Sequence, residues 1–149
     1  MDQHLPYHPR RLRSAYESDA AYSNSRCPHR RGRCVLRSSQ GLTDQWVILS
    51  HCWGSKPAMA ATHLTLSTRE NGIRYDNLPK TFRDVVKVTR QLGIQFLLIN
   101  SLCIIQNPMN PMDWLTESSK ILEYYRDAYV TISALDSEDS FAGFLYLRK

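Results

Sequence analysis

A histidine and a cysteine stand side by side in Leu-Ser-His-Cys-Trp-Gly-Ser, Leu49 to Ser55, directly after an apolar run. Such a pair is the material for a thiolate nucleophile with its general base, or for half of a metal site. Adjacent residues of an extended chain point to opposite faces, however. His51 and Cys52 therefore act as a dyad only if the chain turns sharply between them. Otherwise each needs a different partner, such as Cys103 for His51. The simpler expectation is a small buried thiol at both Cys52 and Cys103.

A second candidate is Cys-Pro-His-Arg-Arg-Gly-Arg-Cys, which places Cys27, His29 and Cys34 close together. Structural zinc sites show two close ligand pairs, and the second pair here is poorly spaced. Arginines between His29 and Cys34 also oppose a dication, so no metal is expected. The glycines are scattered, which excludes a phosphate-cradling loop or a dinucleotide fingerprint, and there is no serine nucleophile elbow. One acidic residue stands out. Glu117 falls toward the edge of a helical face defined by Trp114, Ser118 and Ile121, where a carboxylate borders the core and is partly desolvated. That setting suits acid–base or cation-stabilising work; the alternative is a surface glutamate favoured by the helix N-terminal dipole.

These residues must be positioned by regular elements, and the pattern supplies them. Gln45–His51 reads as a buried strand rich in β-branched residues. A long connection follows, with a short helix expected around His63–Asn71. Leu78–Gly93 carries Phe82, Val85, Val86, Thr89 and Leu92 at helical spacing, Pro79 in the first turn, Thr81 and Asp84 as a capping box, and Gly93 as a left-handed C-cap. Ile94–Asn100 is almost wholly apolar, as a strand covered on both faces would be. Asn110–Ala128 reads as one helix, with Asn110 as N-cap, Pro111 at its first helical position and Trp114, Ser118, Ile121, Leu122 and Tyr125 along one face. Tyr129–Leu135 is a third strand.

Strand, helix, strand, helix, strand with short links implies right-handed crossovers, a parallel sheet and flanking helices: an α/β, three-layer fold. Three strands are few for such a sheet. Part of residues 1–44, including a short strand near Cys34–Ser38, or a further C-terminal strand would add an edge. Ligands of open parallel sheets bind at the strands' carboxyl ends. That rule selects Ser50, His51, Cys52, Trp53 and Gly54; Asn100, Ser101 and Cys103; and Ala134–Ser137.

Composition limits the partners. The chain has 149 residues, 42% of them hydrophobic, enough for one domain with one core. No apolar run spans a bilayer and no signal-peptide pattern opens the sequence, so a cytoplasmic protein with reduced thiols and no membrane span is expected. The net charge of +5 is uneven. Residues 1–44 hold eight arginines against four acidic residues. They read as a basic, loosely ordered N-terminal extension, solvated rather than bound to nucleic acid.

Taken together, "LSHCWGS", "LPKTFRDVVKVTRQLGIQFLLINSLCIIQ" and "DWLTESSKILEYYRDAYVTISALDSEDSFAGFL" resemble the HET domain of fungal heterokaryon-incompatibility proteins, here over residues 45–149. The resemblance implies a fungal self/non-self recognition protein whose domain triggers growth arrest or cell death. The family is similar, distantly, to TIR domains, which implies a flavodoxin-like sheet. Some TIR domains cleave NAD with a glutamate in a Trp-x-x-Glu setting. Trp114 and Glu117 in "WLTE" match that form. By this analogy Glu117 would be the catalytic carboxylate, NAD the substrate rather than a bound cofactor, and Trp114 and Trp53 walls of the pocket with Ser50, Cys52, Gly54, Asn100, Ser101 and Cys103. The other role implied is non-catalytic: an adaptor that forms a homo-oligomer or binds an incompatibility partner protein. Two positions depart from the family pattern. His51 stands where an aromatic residue is common, and Asn100 where Asp is common. The second departure, with the short chain, also allows an inactive copy.

Overall fold

The computed structural model describes residues 14–18, 32–38, 44–55 and 59–146. Cys27 and His29 lie outside these residues. Three strands carry the centre of the fold: β3 (Trp46–His51), β5 (Phe96–Leu98) and β6 (Val130–Ala134). β3 lies between the other two and is parallel to both, with Ile48 opposite Leu98 on one side and Thr131 on the other. This is the parallel sheet expected from the pattern. Val47, Ile48, Leu97, Leu98 and Ile99 are almost wholly excluded from solvent, so the apolar runs do what strands covered on two faces require.

Three antiparallel strands extend the sheet beyond β5. β1 (Ser14–Ser18) pairs with β5 and with β2 (Arg33–Ser38), and β2 pairs with the two-residue β4 (Ile73–Arg74). The order across all six is β4-β2-β1-β5-β3-β6. Two strands of the sheet therefore come from within residues 1–44, and the strand expected near Cys34–Ser38 is β2. Its Cys34 and Leu36, two residues apart, both face the core.

The helices are α1 (His63–Glu70), α2 (Lys80–Gln91), α3 (Asn100–Cys103), α4 (Met112–Ser118) and α5 (Ile121–Asp127). α2 and α5 lie on opposite faces, as the alternation along β3 shows. His51 meets Phe82 of α2, whereas Trp46, of opposite parity, donates its indole N–H to the Tyr124 carbonyl of α5 at 3.3 Å. The result is three layers. α2 buries Phe82, Val85, Val86 and Thr89, the expected face, and the chain leaves it through Gly93 at φ +72°, the left-handed turn that favours glycine. Leu92, placed on that face by spacing, is instead 47% exposed at the C-cap.

The single helix expected over 110–128 is two. It breaks at Ser119–Lys120, which rotates the second half. Glu117 and Tyr124 turn inward, while Trp114, Leu115 and Leu122 are exposed. The apolar face read through Trp114 and Leu122 is therefore not the buried one.

Candidate functional site

Beyond the carboxyl end of β3, the chain lies against the loop that follows β6. Gly54 has φ +73°, and a Cβ placed on it would stand 2.7 Å from the Asp139 Cβ; only glycine allows that approach. His51 Nε2 lies 3.3 Å from Ser140 Oγ, and its ring meets Phe82 edge to face with 5.1 Å between centroids. The imidazole thus joins β3, α2 and the 137–140 loop. Cys52 is exposed, not buried as expected, because β3 ends at His51 and the strand alternation stops with it. Trp53 is half-buried, as is Ser50, which pairs in register with Ser133 of β6.

Burial pushes the His51 pKa below its ordinary value, since the charged ring loses hydration. The unfolded chain then takes up this proton near pH 6.5 while the folded chain still resists it. Stability is full above that pH and falls as pH drops through the gap between the two values. Urea unfolding between pH 7.5 and 5 should show this decline, and His51→Gln should flatten it. An equal decline in the variant would assign the effect elsewhere.

The loop after β6 is anchored by residues that the spacing placed in a helix cap. Thr81 Oγ1 meets Ser137 Oγ at 2.8 Å and the Asp139 carbonyl at 2.9 Å, and it accepts the Gly143 N–H at 3.0 Å. Asp84 Oδ2 accepts from the N–H groups of Phe144 and Leu145 at 2.9 and 3.0 Å and from Lys80 Nζ at 2.8 Å. Thr81 and Asp84 therefore do not form a capping box; they hold a strap running from Ser137 to Leu145 across the start of α2.

At the end of β5 the chain turns directly into α3. Ser101 and Cys103 are buried and Asn100 is half-buried. Asn100 Oδ1 and Ser101 Oγ are closed to water and have no hydrogen-bond partner. Orphaned polar atoms at a parallel strand's carboxyl end are groups that a ligand's polar atoms would satisfy. The Ser101 backbone is tied to the preceding loop, its carbonyl accepting the Ala61 N–H at 2.7 Å. Arg69, 4% exposed, donates to the carbonyls of Met59 and Ala60 and braces the same loop. Its sequence neighbourhood offered no sign of this role, since all its acceptors are carbonyls at distant positions.

Glu117 is 4% exposed. Its Oε2 accepts from the Tyr124 hydroxyl at 2.5 Å and its Oε1 from Lys120 Nζ at 3.3 Å. Tyr124 is also the residue whose carbonyl holds Trp46, so the carboxylate is fixed to α5 on the Trp46 face of the sheet. Trp114, one turn before it, is 45% exposed. The structure brings Ser50–Gly54 together with the strap, and Asn100–Cys103 together with the 59–61 loop. Among the described residues, no three His, Cys, Asp or Glu side chains gather as metal ligands, and no helix is long and apolar enough to cross a membrane.

Three parallel strands with helices on both faces and polar groups at the strand ends make this an α/β domain. The family model described as heterokaryon incompatibility protein (HET) matches residues 46–149, beginning at the first residue of β3. The chain belongs to the heterokaryon incompatibility (HET) family. No curated protein and no solved structure matched it.

Proposed function

We propose that this chain is an effector module of fungal heterokaryon incompatibility, acting in the cytoplasm to arrest growth or kill the cell after a non-self encounter. The observation that favours a ligand-driven mechanism is the orphaned pair Asn100 Oδ1 and Ser101 Oγ at the carboxyl end of β5. On this reading the ligand is NAD, cleaved at its nicotinamide–ribose bond. Glu117, held by Tyr124 and Lys120, is the carboxylate that stabilises the oxocarbenium-like ribose. Trp53 and Trp114 wall the pocket.

Expression of the wild-type chain should deplete cellular NAD and stop growth together. Glu117→Gln keeps the side chain's shape and should abolish both, with its melting temperature checked on purified protein. Growth arrest at unchanged NAD would sink the enzymatic mechanism. The burial of Glu117 and the exposure of Met112, Leu115 and Leu122 favour the second reading, a non-catalytic self-association or adaptor module. That reading predicts oligomers in sedimentation that Leu115→Glu disperses, with toxicity lost in parallel. A chain that is neither toxic nor oligomeric would be an inert copy.

A further inference from the structure

Arg83 and Arg90 lie seven residues apart on α2 and so share one face. Tyr75, in the 3-10 turn Tyr75–Asn77 after β4, sits against both. Its hydroxyl donates to the Arg83 carbonyl at 3.1 Å, and the Arg90 guanidinium lies 5.5 Å over its ring. Burial holds the Tyr75 pKa above its ordinary value, against the opposing charges of Arg83 and Arg90.

Three guanidinium nitrogens here are shut off from water without an acceptor: Arg83 Nε, Arg90 Nε and Arg90 Nη2. Buried donors left unmade are costly, and charged ones more so. Asp84, the acidic neighbour on the helix, is committed to the strap through Oδ2. Lys87, exposed between the two arginines, adds a further positive charge to the face.

We propose that the Tyr75–Arg83–Arg90 face binds the phosphoryl group of a small anionic ligand. The Nε and Nη2 of one arginine form a single edge of its donor fork, suited to two oxygens of one anion, and Arg83 Nε is a further unpaired donor on the same helix face; both arginines are half-buried, so their side chains turn outward to present these donors. A phosphoryl group offers three strong acceptor oxygens and up to two negative charges. A carboxylate has two oxygens and one charge, and leaves the second guanidinium less well matched. The site shares no residue with the strand-end pair and requires neither NAD cleavage nor toxicity.

Titration calorimetry on the full chain tests this with sodium pyrophosphate and inorganic phosphate, against citrate and chloride at matched ionic strength. Pyrophosphate or phosphate should bind the wild type and Arg126→Gln, an exposed arginine held by Asp127. Binding should weaken about tenfold or more in Arg83→Gln and Arg90→Gln. Arg90→Lys keeps the charge and loses the Nε–Nη2 edge, so it should weaken binding too at an unchanged melting temperature. No binding by the folded wild type, equal binding by Arg90→Lys, or citrate matching pyrophosphate would overturn the proposal.

Discussion

Asp84→Ala is expected to lower the unfolding free energy by about 2–4 kcal/mol. One carboxylate oxygen holds the N–H groups of Phe144 and Leu145 and the Lys80 ammonium. Hydrogen bonds to a charged acceptor are stronger than neutral ones, and the N–H groups left behind would be only partly hydrated. Lys80, with its side chain 37% exposed, would be rescued by water, which keeps the effect below that of a fully buried pair. Burial alone would push the Asp84 pKa up, but the Lys80 contact and the two backbone N–H groups outweigh it and hold it below the ordinary 3.8. The folded value is depressed, so this stability is present above about pH 3.8 and is lost as pH falls from there through the folded value. Urea unfolding at neutral pH, with proteolysis of residues 135–146 followed in parallel, measures it. The variant should be cut in the strap first; a wild-type midpoint with an uncut strap would remove Asp84 as its anchor. Gly143→Ala should act on the same strap, since a Cβ there would collide with Lys80 Nζ and stand 2.7 Å from Asp84 Oδ2 at φ +77°.

The strap also shows where sequence reasoning stops. Thr81 and Asp84 are three apart at the start of a helix, the spacing of a capping box. Their partners lie 56 to 62 residues along the chain, and no local pattern distinguishes a cap from an anchor. By contrast, the buried face of α2 and the three parallel strands were legible because apolar spacing reports burial directly. The second helix was half legible. Its start was visible to within one residue, the helix beginning at Met112 with Pro111 rather than Asn110 at the cap, but Ser118-Ser119-Lys120 carries no proline or glycine to mark the break. Once the helix breaks, the inward residues shift from the Trp114–Leu122 stripe to Glu117 and Tyr124. Glu117 was placed at the edge of the buried face for a reason that the break replaced with a stronger one. Asn100 and Ser101 were reached through a topological rule about strand ends, whereas the lack of partners for their polar atoms belongs to tertiary structure alone. Residues 14–18 carry too little apolar pattern to announce a strand, and β1 forms where β5 and β2 offer it backbone partners on both sides.

Phe82→Ala should be the most damaging single change in α2, at about 3–5 kcal/mol. The ring is fully excluded from solvent and sits where α2, β3 and the strap meet, against a histidine that itself contacts Ser140. Neighbours on two rigid elements cannot collapse into the space freely, so the cavity term adds to the lost transfer energy. For a chain of this size the melting temperature should fall by roughly 6–20 °C. Phe82→Leu keeps most of the volume and should cost less than about 1.5 kcal/mol. The alanine variant should also loosen the packing that holds down the His51 pKa, making the acid-side decline in stability shallower. The two residues touch, so Phe82→Ala and His51→Gln should combine non-additively. Additive losses, with the decline below pH 6.5 unchanged in Phe82→Ala, would mean that Phe82 does not maintain the burial of His51.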